Sequence, residues 1–377
     1  MRIVAILRPE NRSLVEALLA AGHQVLVEEQ VAALMPPECE SLPWPNERSG
    51  LRGYASFTPV EKINALIPAM AQIIDTLNAR EYDALVVWTD AIPTTRCAVL
   101  ASRKRGIPTF EVTHGAFNTY RQGHFECDSY VDVILAPGQE EADFRKFYGS
   151  GAEVIVTGKP SFDWMASVDK AAKRETIKER WSLPPHRPIV LYGMTWRHPF
   201  STWERDGDRG EWDVYSAHMN LLPICKPFLL IKPHYVFESE FMVKRLQHEL
   251  EQQGITEYAI VTGTTPNILP ACDMVVSHKS SLLVESVLLD IPCVGFDFRE
   301  RNDFAFYPNR GIEWCADRAA MLPTITRTLL DAPTKLRLAE ERVSAKPYFN
   351  GPHDGRAAER CVASIERVVA ARVSEVA

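Results

Sequence analysis

The chain alternates strand-like and helix-like runs from its first residues, and this alternation limits the possible folds more than any single motif does. RIVAIL reads as a strand, SLVEALLAAG as a helix ending at Gly22, and HQVLVEE as a second strand. Residues 35–58, rich in Pro and Gly, read as a long irregular loop. A helix over about 59–80 leads into the strand YDALVVWTD, then a helix around TRCAVLASRKRG and the strand TFEVTHG. VDVILAPG, EEADFRKFYG and EVIVTG continue the series. Strands separated by helices predict a parallel sheet with right-handed crossovers.

After VTGKPSFDW the sequence becomes charged and helical (KAAKRETIKERWSLPPHRP), and residues 166–186 read as a linker. A second alternating set follows: PIVLYG, a helix near 213–224, FLLIKPH, the helix EFMVKRLQHELEQQG, EYAIVTG, DMVVSH, the helix SLLVESVLLD and PCVGFD. The expected organisation is a first α/β domain over 1–165, a second over 187–354, and a last helix within 355–377 that returns to the first domain. At 377 residues, two domains are also the natural expectation from size.

Composition excludes several classes. A formal charge of −7 argues against general nucleic-acid binding through a basic field. The eight cysteines are scattered without a CxxC pair, which points to free thiols, a reducing cytoplasm and neither a zinc ribbon nor a redox motif. No run of about 18 apolar residues occurs, so no transmembrane helix is expected. MRIVAILRPE has too short an apolar run for a signal peptide. Peripheral association with the inner face of a membrane stays compatible with all of this. Neither GxGxxG after the first strand nor GxxxxGK[ST] occurs, which argues against a dinucleotide oxidoreductase and a P-loop NTPase.

Polar residues collect instead where strands should end, the edge at which open α/β sheets bind ligands. THG at 113–115 puts an imidazole, His114, beside a glycine, Gly115, that lets backbone approach a ligand. His114 could be a general base or a loop cap. LYGMTWRH offers Thr195 and Arg197, an anion site or an ordinary surface arginine. LLIKPHY supplies Lys232 and His234 around Pro233, two cations suited to a diphosphate, or a snorkelling lysine and a satisfied histidine. DMVVSHKSSLLVES runs from a strand through His278, Lys279, Ser280 and Ser281 into a helix whose first amides could hold an anion, with Glu285 one turn in. A plain capped helix is the simpler alternative. FDFRERNDFAFYPNRG adds Asp303 and Arg310 as rim candidates.

Taken together and in order, THG, LYGMTWRH, KPHY, SHKSSLLVES, NDFAFYPNRG and HDGRAAERCVASI resemble motifs of the CDP-glycerol glycerophosphotransferases, the teichoic-acid polymerases and primases. The resemblance covers most of 110–365 and implies a GT-B fold, two Rossmann-like domains facing across a nucleotide cleft, without cofactor or metal. It implies His114 as the base that deprotonates an acceptor hydroxyl, His234 steadying the pyrophosphate, and Ser280 and Ser281 at the donor phosphates or the glycerol end. Arg197 and Arg310 would also lie near phosphate. The family usually shows an aspartate and a tyrosine before the serine pair, where this chain has His278 and Lys279. VTGKPSFDWM is also similar to a segment of UDP-sugar 2-epimerases and capsule-type glycosyltransferases, which leaves the donor nucleotide open.

The expected activity is transfer of an alditol-phosphate or glycosyl group from a nucleotide-activated donor to a carbohydrate or polyol hydroxyl. An epimerase would need further acid/base carboxylates, with Asp90 and Glu111 the evident ones. A non-catalytic nucleotide-sugar binder is the third alternative.

Overall fold

The computed structural model describes residues 1–45, 59–90, 92–113, 129–147, 149–194, 210–234, 238–278, 280–296, 310–315 and 317–376. The chain divides into two compact units, Met1–Trp164 with Pro347–Ala377, and Met165–Lys346.

In the first unit, seven described strands form one sheet: β1 (Arg2–Ile6), β2 (Gln24–Glu28), β3 (Glu40–Leu42), β4 (Ala84–Val87), β5 (Thr109–Val112), β6 (Val133–Ala136) and β7 (Glu153–Val156). Their order is β3-β2-β1-β4-β5-β6-β7, all parallel. β4, β5 and β6 are buried along their whole length, as expected of strands with helices on both faces. Side chains alternate between two cores. Ile3, Ala5, Val25, Val27, Val86 and Val112 share one face with α1 (Arg12–Ala20), while Val4, Ile6, Leu26, Leu85 and Val87 share the other with α2 (Pro59–Asn78) and α3 (Pro93–Lys104). β3 lies inside the stretch expected as irregular; a three-residue edge strand leaves too short a periodic signal to read. α4 (Gln139–Phe147) precedes β7.

α5 (Lys170–Trp181), the charged helical stretch of the sequence, lies near the start of the second unit. Its charges are structural: Arg174 pairs with both carboxylate oxygens of Asp273 at 2.9 and 3.0 Å, and Asp273 also accepts from the Ile189 amide. Six described parallel strands follow, β8 (Ile189–Gly193), β9 (Phe228–Lys232), β10 (Tyr258–Ile260), β11 (Met274–His278), β12 (Cys293–Phe296) and β13 (Glu313–Cys315), in the order β10-β9-β8-β11-β12-β13. They are flanked by α6 (Gly210–Cys225), α7 (Glu240–Gln252), α8 (Ser281–Leu288) and α9 (Met321–Leu330).

α10 (Ala332–Asn350) leads to α11 (Ala357–Val376), which packs Cys361, Val362, Ile365 and Val369 into a first-unit core. The GKPSFDWM segment holds this return in place. Asp163 accepts from the Ala357 and Ala358 amides at 2.9 Å each, capping α11 across nearly 200 residues of sequence. The Lys159 amide donates to Asn350 Oδ1 at 2.8 Å, and Arg360 Nε donates to the Thr157 carbonyl at 2.6 Å. Gly138 lets the end of α10 approach; a Cβ there would lie 2.2 Å from the Tyr348 carbonyl oxygen.

All seven described cysteines are free. No helix among the described residues is long and apolar enough to cross a membrane.

Candidate active site

In each sheet the strand order reverses direction at one point, where adjacent crossovers leave on opposite faces and open a crevice at the strands' carboxyl ends. In the second unit this point lies between β8 and β11. Gly193 ends β8 in register with Ser277 and Lys232, so the Gly193–Met194, Ser277–His278 and Lys232–His234 segments leave side by side. Ser277 Oγ donates to the Gly193 carbonyl at 2.6 Å, closing the β8–β11 seam with a buried hydroxyl. A Cβ on Gly193 would sit 2.2 Å from Leu282 Cδ2, so glycine is what lets the first turn of α8 lie against β8. Residue type after this strand, a hydroxyl and a guanidinium, singles out Thr195 and Arg197 in the sequence. Gly193 was missed, and the small residue ending an otherwise bulky strand was its signal.

α8 begins as its sequence implies. Ser280 is the N-cap in an extended conformation, and its Oγ accepts from the Leu282 amide at 3.3 Å, while the Leu283 amide donates to the Ser280 carbonyl at 3.0 Å. The Ser281 amide has no partner among the described residues and stays available to an anion. His278, the last residue of β11, packs its ring edge-on against Phe296 at 5.5 Å between centroids. Glu285 is buried one turn into the helix.

Lys232 has a structural task. Its ammonium lies 3.3 Å from Glu238 Oε1, and both oxygens of Glu238 accept from the Gly263 amide at 3.2 Å, tying the segment after β9 to the segment after β10. His234 is half-buried two residues on. Arg310 is half-buried, and the adjacent Gly311 amide donates to Glu341 Oε2 of α10 at 3.1 Å. β8, β9 and β11 thus bring Lys232, His234, His278, Ser280 and Ser281 to one edge of the second sheet. Thr195, Arg197, Lys279 and Asp303 lie outside the described residues, as do His114 and Gly115 of the first unit.

In the first unit, β5 ends at Val112, followed by the buried Thr113. Asp90 and Glu111, both 2% exposed, sit at the carboxyl ends of neighbouring strands, as the sequence implied, but in contact with each other's chain. The Asp90 amide donates to Glu111 Oε2 at 3.2 Å, and Arg145 of α4 bonds Glu111 Oε1 at 3.1 Å and Glu141 Oε1 at 2.7 Å. Burial, reinforced by Asp90 and Glu141 and opposed by Arg145, pushes the Glu111 carboxyl up to about 8. At the first-unit switch point, between β1 and β4, the Arg8 guanidinium stacks over Trp88 at 4.0 Å. The sequence signal for that pair was a cation directly after the first strand. Among the described residues, no group of three or more His, Cys, Asp or Glu side chains is arranged to hold a metal.

Comparison with known proteins bears out the family resemblance. Residues 109–367 match the family model of CDP-glycerol:poly(glycerophosphate) glycerophosphotransferase. Similar solved structures include S. aureus MnaA in a co-structure with UDP, at 16% identity and TM-score 0.68, covering 98% of this chain and 96% of that one. Methanocaldococcus jannaschii UDP-GlcNAc 2-epimerase, in complex with UDP-GlcNAc and UDP, gives 15% identity and TM-score 0.66 over 97% of this chain and 100% of that one. A variant of the wall teichoic acid polymerase TagF gives 12% identity and TM-score 0.60, covering 99% and 90%. No curated protein sequence matches the chain. At these identities the structural likenesses establish the fold, which is of the GT-B type, and the family rests on the sequence match. The chain belongs to the CDP-glycerol:poly(glycerophosphate) glycerophosphotransferase family and is a transferase of the GT-B type.

Proposed function

We propose that the protein transfers a glycerol-phosphate or related alditol-phosphate group from a CDP-alditol to a hydroxyl of a carbohydrate or polyol acceptor. The observation that carries this is the family match, whose span of 109–367 contains every candidate residue from His114 to Arg310.

In this scheme His114 takes the proton of the acceptor hydroxyl. The oxygen then attacks the phosphorus that bears the alditol, the pyrophosphate O–P bond breaks, and CMP leaves with the electron pair. Negative charge grows on the departing phosphate, and catalysis consists of meeting it with fixed donors. The Ser281 amide at the α8 N-terminus, the cap hydroxyl of Ser280, and the side chains of His234, His278, Lys279, Arg197 and Arg310 are suited to that task, with Thr195 as a further donor. Lys232 contributes by holding Glu238 and the neighbouring loop. Glu285, one turn into α8, is a further candidate, as are Gly115 and Asp303 from the sequence. We assign the phosphate charge to side chains and helix amides rather than to a metal, so EDTA should leave the rate unchanged.

A second reading has an observation of its own, the UDP held by several proteins of similar fold. The same groups would then face a nucleotide sugar, with attack at the anomeric carbon and departure of the nucleoside diphosphate. The epimerase alternative receives less support. Asp90 and Glu111, the carboxylates it would use, are buried and committed to backbone amides and Arg145.

The test is to incubate the protein and a polyol acceptor with CDP-glycerol, CDP-ribitol and a panel of nucleotide sugars, and to identify the nucleotide released. CMP from a CDP-alditol supports phosphotransfer, and UDP or GDP from a sugar donor supports the second reading. Release from none of them would sink both.

A further inference from the structure

The helix α2 carries an apolar face that the first-unit core does not use. Ile73 and Leu77 turn inward and are buried against the sheet. A second stripe, Val60, Ile63, Ile67, Met70 and Ile74, runs beside them within an arc of about 80°. Successive members alternate between three and four residues apart, the spacing at which one α-helix seats its side chains into another. Val60, Ile63, Ile67 and Ile74 are 39–66% exposed. Between α2 and α3 a groove of about 720 Å³ continues the stripe, lined by Met70, Ile74, Cys97 and Leu100, and also by Lys104. No element among the described residues covers this face.

A continuous apolar stripe of this kind marks an interaction surface, and charge says what covers it. A helix that lies in a lipid surface carries Lys and Arg along its polar face. The charged residues of α2 are Glu61, Lys62 and Asp75, two acids against one lysine, and the outer flank of the stripe is Asn64, Ala71 and Asn78. A protein helix fits this face better than an anionic lipid surface. The two ends of the face also differ in sign. Glu61 stands in the first turn of α2, and exposed Lys104 lies at the far end, in the groove with Ile74 and Asn78. A second copy laid parallel would set Glu61 on Glu61 and Lys104 on Lys104. Laid antiparallel, about a two-fold axis between Ile67 and Met70, Ile63 meets Ile74 and Ile67 meets Met70. Glu61 then comes level with Thr76 of the other copy, at the height of its Lys104.

We propose that this face joins two copies of the chain, through an antiparallel two-fold pairing of α2 on α2 with Leu100 and Lys104 of α3 at its edges. The pairing stands apart from the transfer chemistry, because α2 and α3 pack on a face of the first sheet and not at its carboxyl edge. Its size sets its strength. A helix of 20 residues is ~30 Å long, and with α3 alongside the face offers ~600 Å² per copy. Two copies would bury ~1,200 Å², the lower end of specific interfaces, so the dimer should be reversible with a Kd of ~1–100 μM.

Sedimentation equilibrium of the full chain tests this over a range of ~1 to ~200 μM, where the average mass should climb from one chain towards two. Ile67→Glu places a carboxylate in the middle of the seam on both copies and should raise Kd by ~100-fold or more. Ile67 is exposed in the single chain, so this variant should fold with an unchanged circular dichroism spectrum. Val343→Glu changes a similarly exposed apolar residue of the second unit and should leave Kd as it was. Glu61→Lys and Lys104→Glu should each raise Kd by ~3–10-fold, and the two together should restore it, since the pairing sets these positions against each other. A single-chain mass at every concentration would overturn the proposal, as would a dimer that Ile67→Glu leaves intact. A double variant that is no tighter than either single one would refute the antiparallel pairing and the proposal with it. So would a monomer that sediments with phosphatidylglycerol vesicles and loses that binding in Ile67→Glu, which would assign the face to a membrane instead.

Discussion

Replacing His218 with leucine should make the protein more stable, and the gain should grow as pH falls. His218 lies on α6 in the second-unit core, 4% exposed, and neither ring nitrogen has a hydrogen-bond partner among the described residues. Burial, with a smaller contribution from Arg187, lowers its pKa from 6.5 to about 4. At pH 7.5 the ring is neutral in both folded and unfolded chains, and the cost is that of burying unsatisfied polar atoms, ~1–3 kcal/mol. Leucine removes that cost at similar volume. Below pH 6.5 the unfolded chain takes up a proton that the folded chain refuses until about pH 4, so the wild type loses stability across that window. At ~1.36 kcal/mol per pH unit the loss approaches ~3 kcal/mol by pH 4, equivalent to ~6–12 °C of Tm for a unit of this size. Scanning calorimetry of both proteins at pH 7.5 and 4.5 measures it. A leucine variant that melts lower than wild type at pH 7.5, or a Tm difference that does not widen at pH 4.5, would refute the reasoning.

Other outcomes follow from the packing. Gly138→Ala sets a Cβ against the Tyr348 and Phe349 backbone, which cannot swing aside, and should lower Tm by several degrees and speed proteolysis near residue 350. Asp163→Ala removes the acceptor for two α11 amides and should cost ~1–2 kcal/mol, with exchange rising first in the opening turn of that helix. Native-state thiol titration should spare Cys272, Cys293 and Cys361, whose pKa values burial raises (that of Cys293 to about 12), and all three should react once the protein is unfolded.

The strand–helix alternation was legible because the inner strands are continuous apolar runs, and the return of the last helix because it is long enough to reach back to the first domain. The charged helix over 170–181 was legible, but not how it is anchored, because ion pairing, Arg174 with Asp273, does in α5 what apolar periodicity does elsewhere; Ile177 alone is buried there. Asp90 and Glu111 were visible at strand ends, yet their partners Tyr130 and Arg145 stand tens of residues away, where no spacing rule reaches. Lys232 was legible as a cation at a strand end, but its ion pair with Glu238 was not, because Glu238 is a loop residue whose direction the sequence does not fix. Ser280 and Ser281 were the most legible, since a hydroxyl before an apolar helical run has a local physical meaning, the N-cap.

The most direct test of the account follows the phosphorus. CDP-glycerol labelled at the glycerol-bearing phosphate should pass its label to the acceptor and leave unlabelled CMP, and His114→Ala should abolish that transfer while the protein still binds donor. Label recovered in a released nucleoside diphosphate, or transfer undiminished in His114→Ala, would contradict the account.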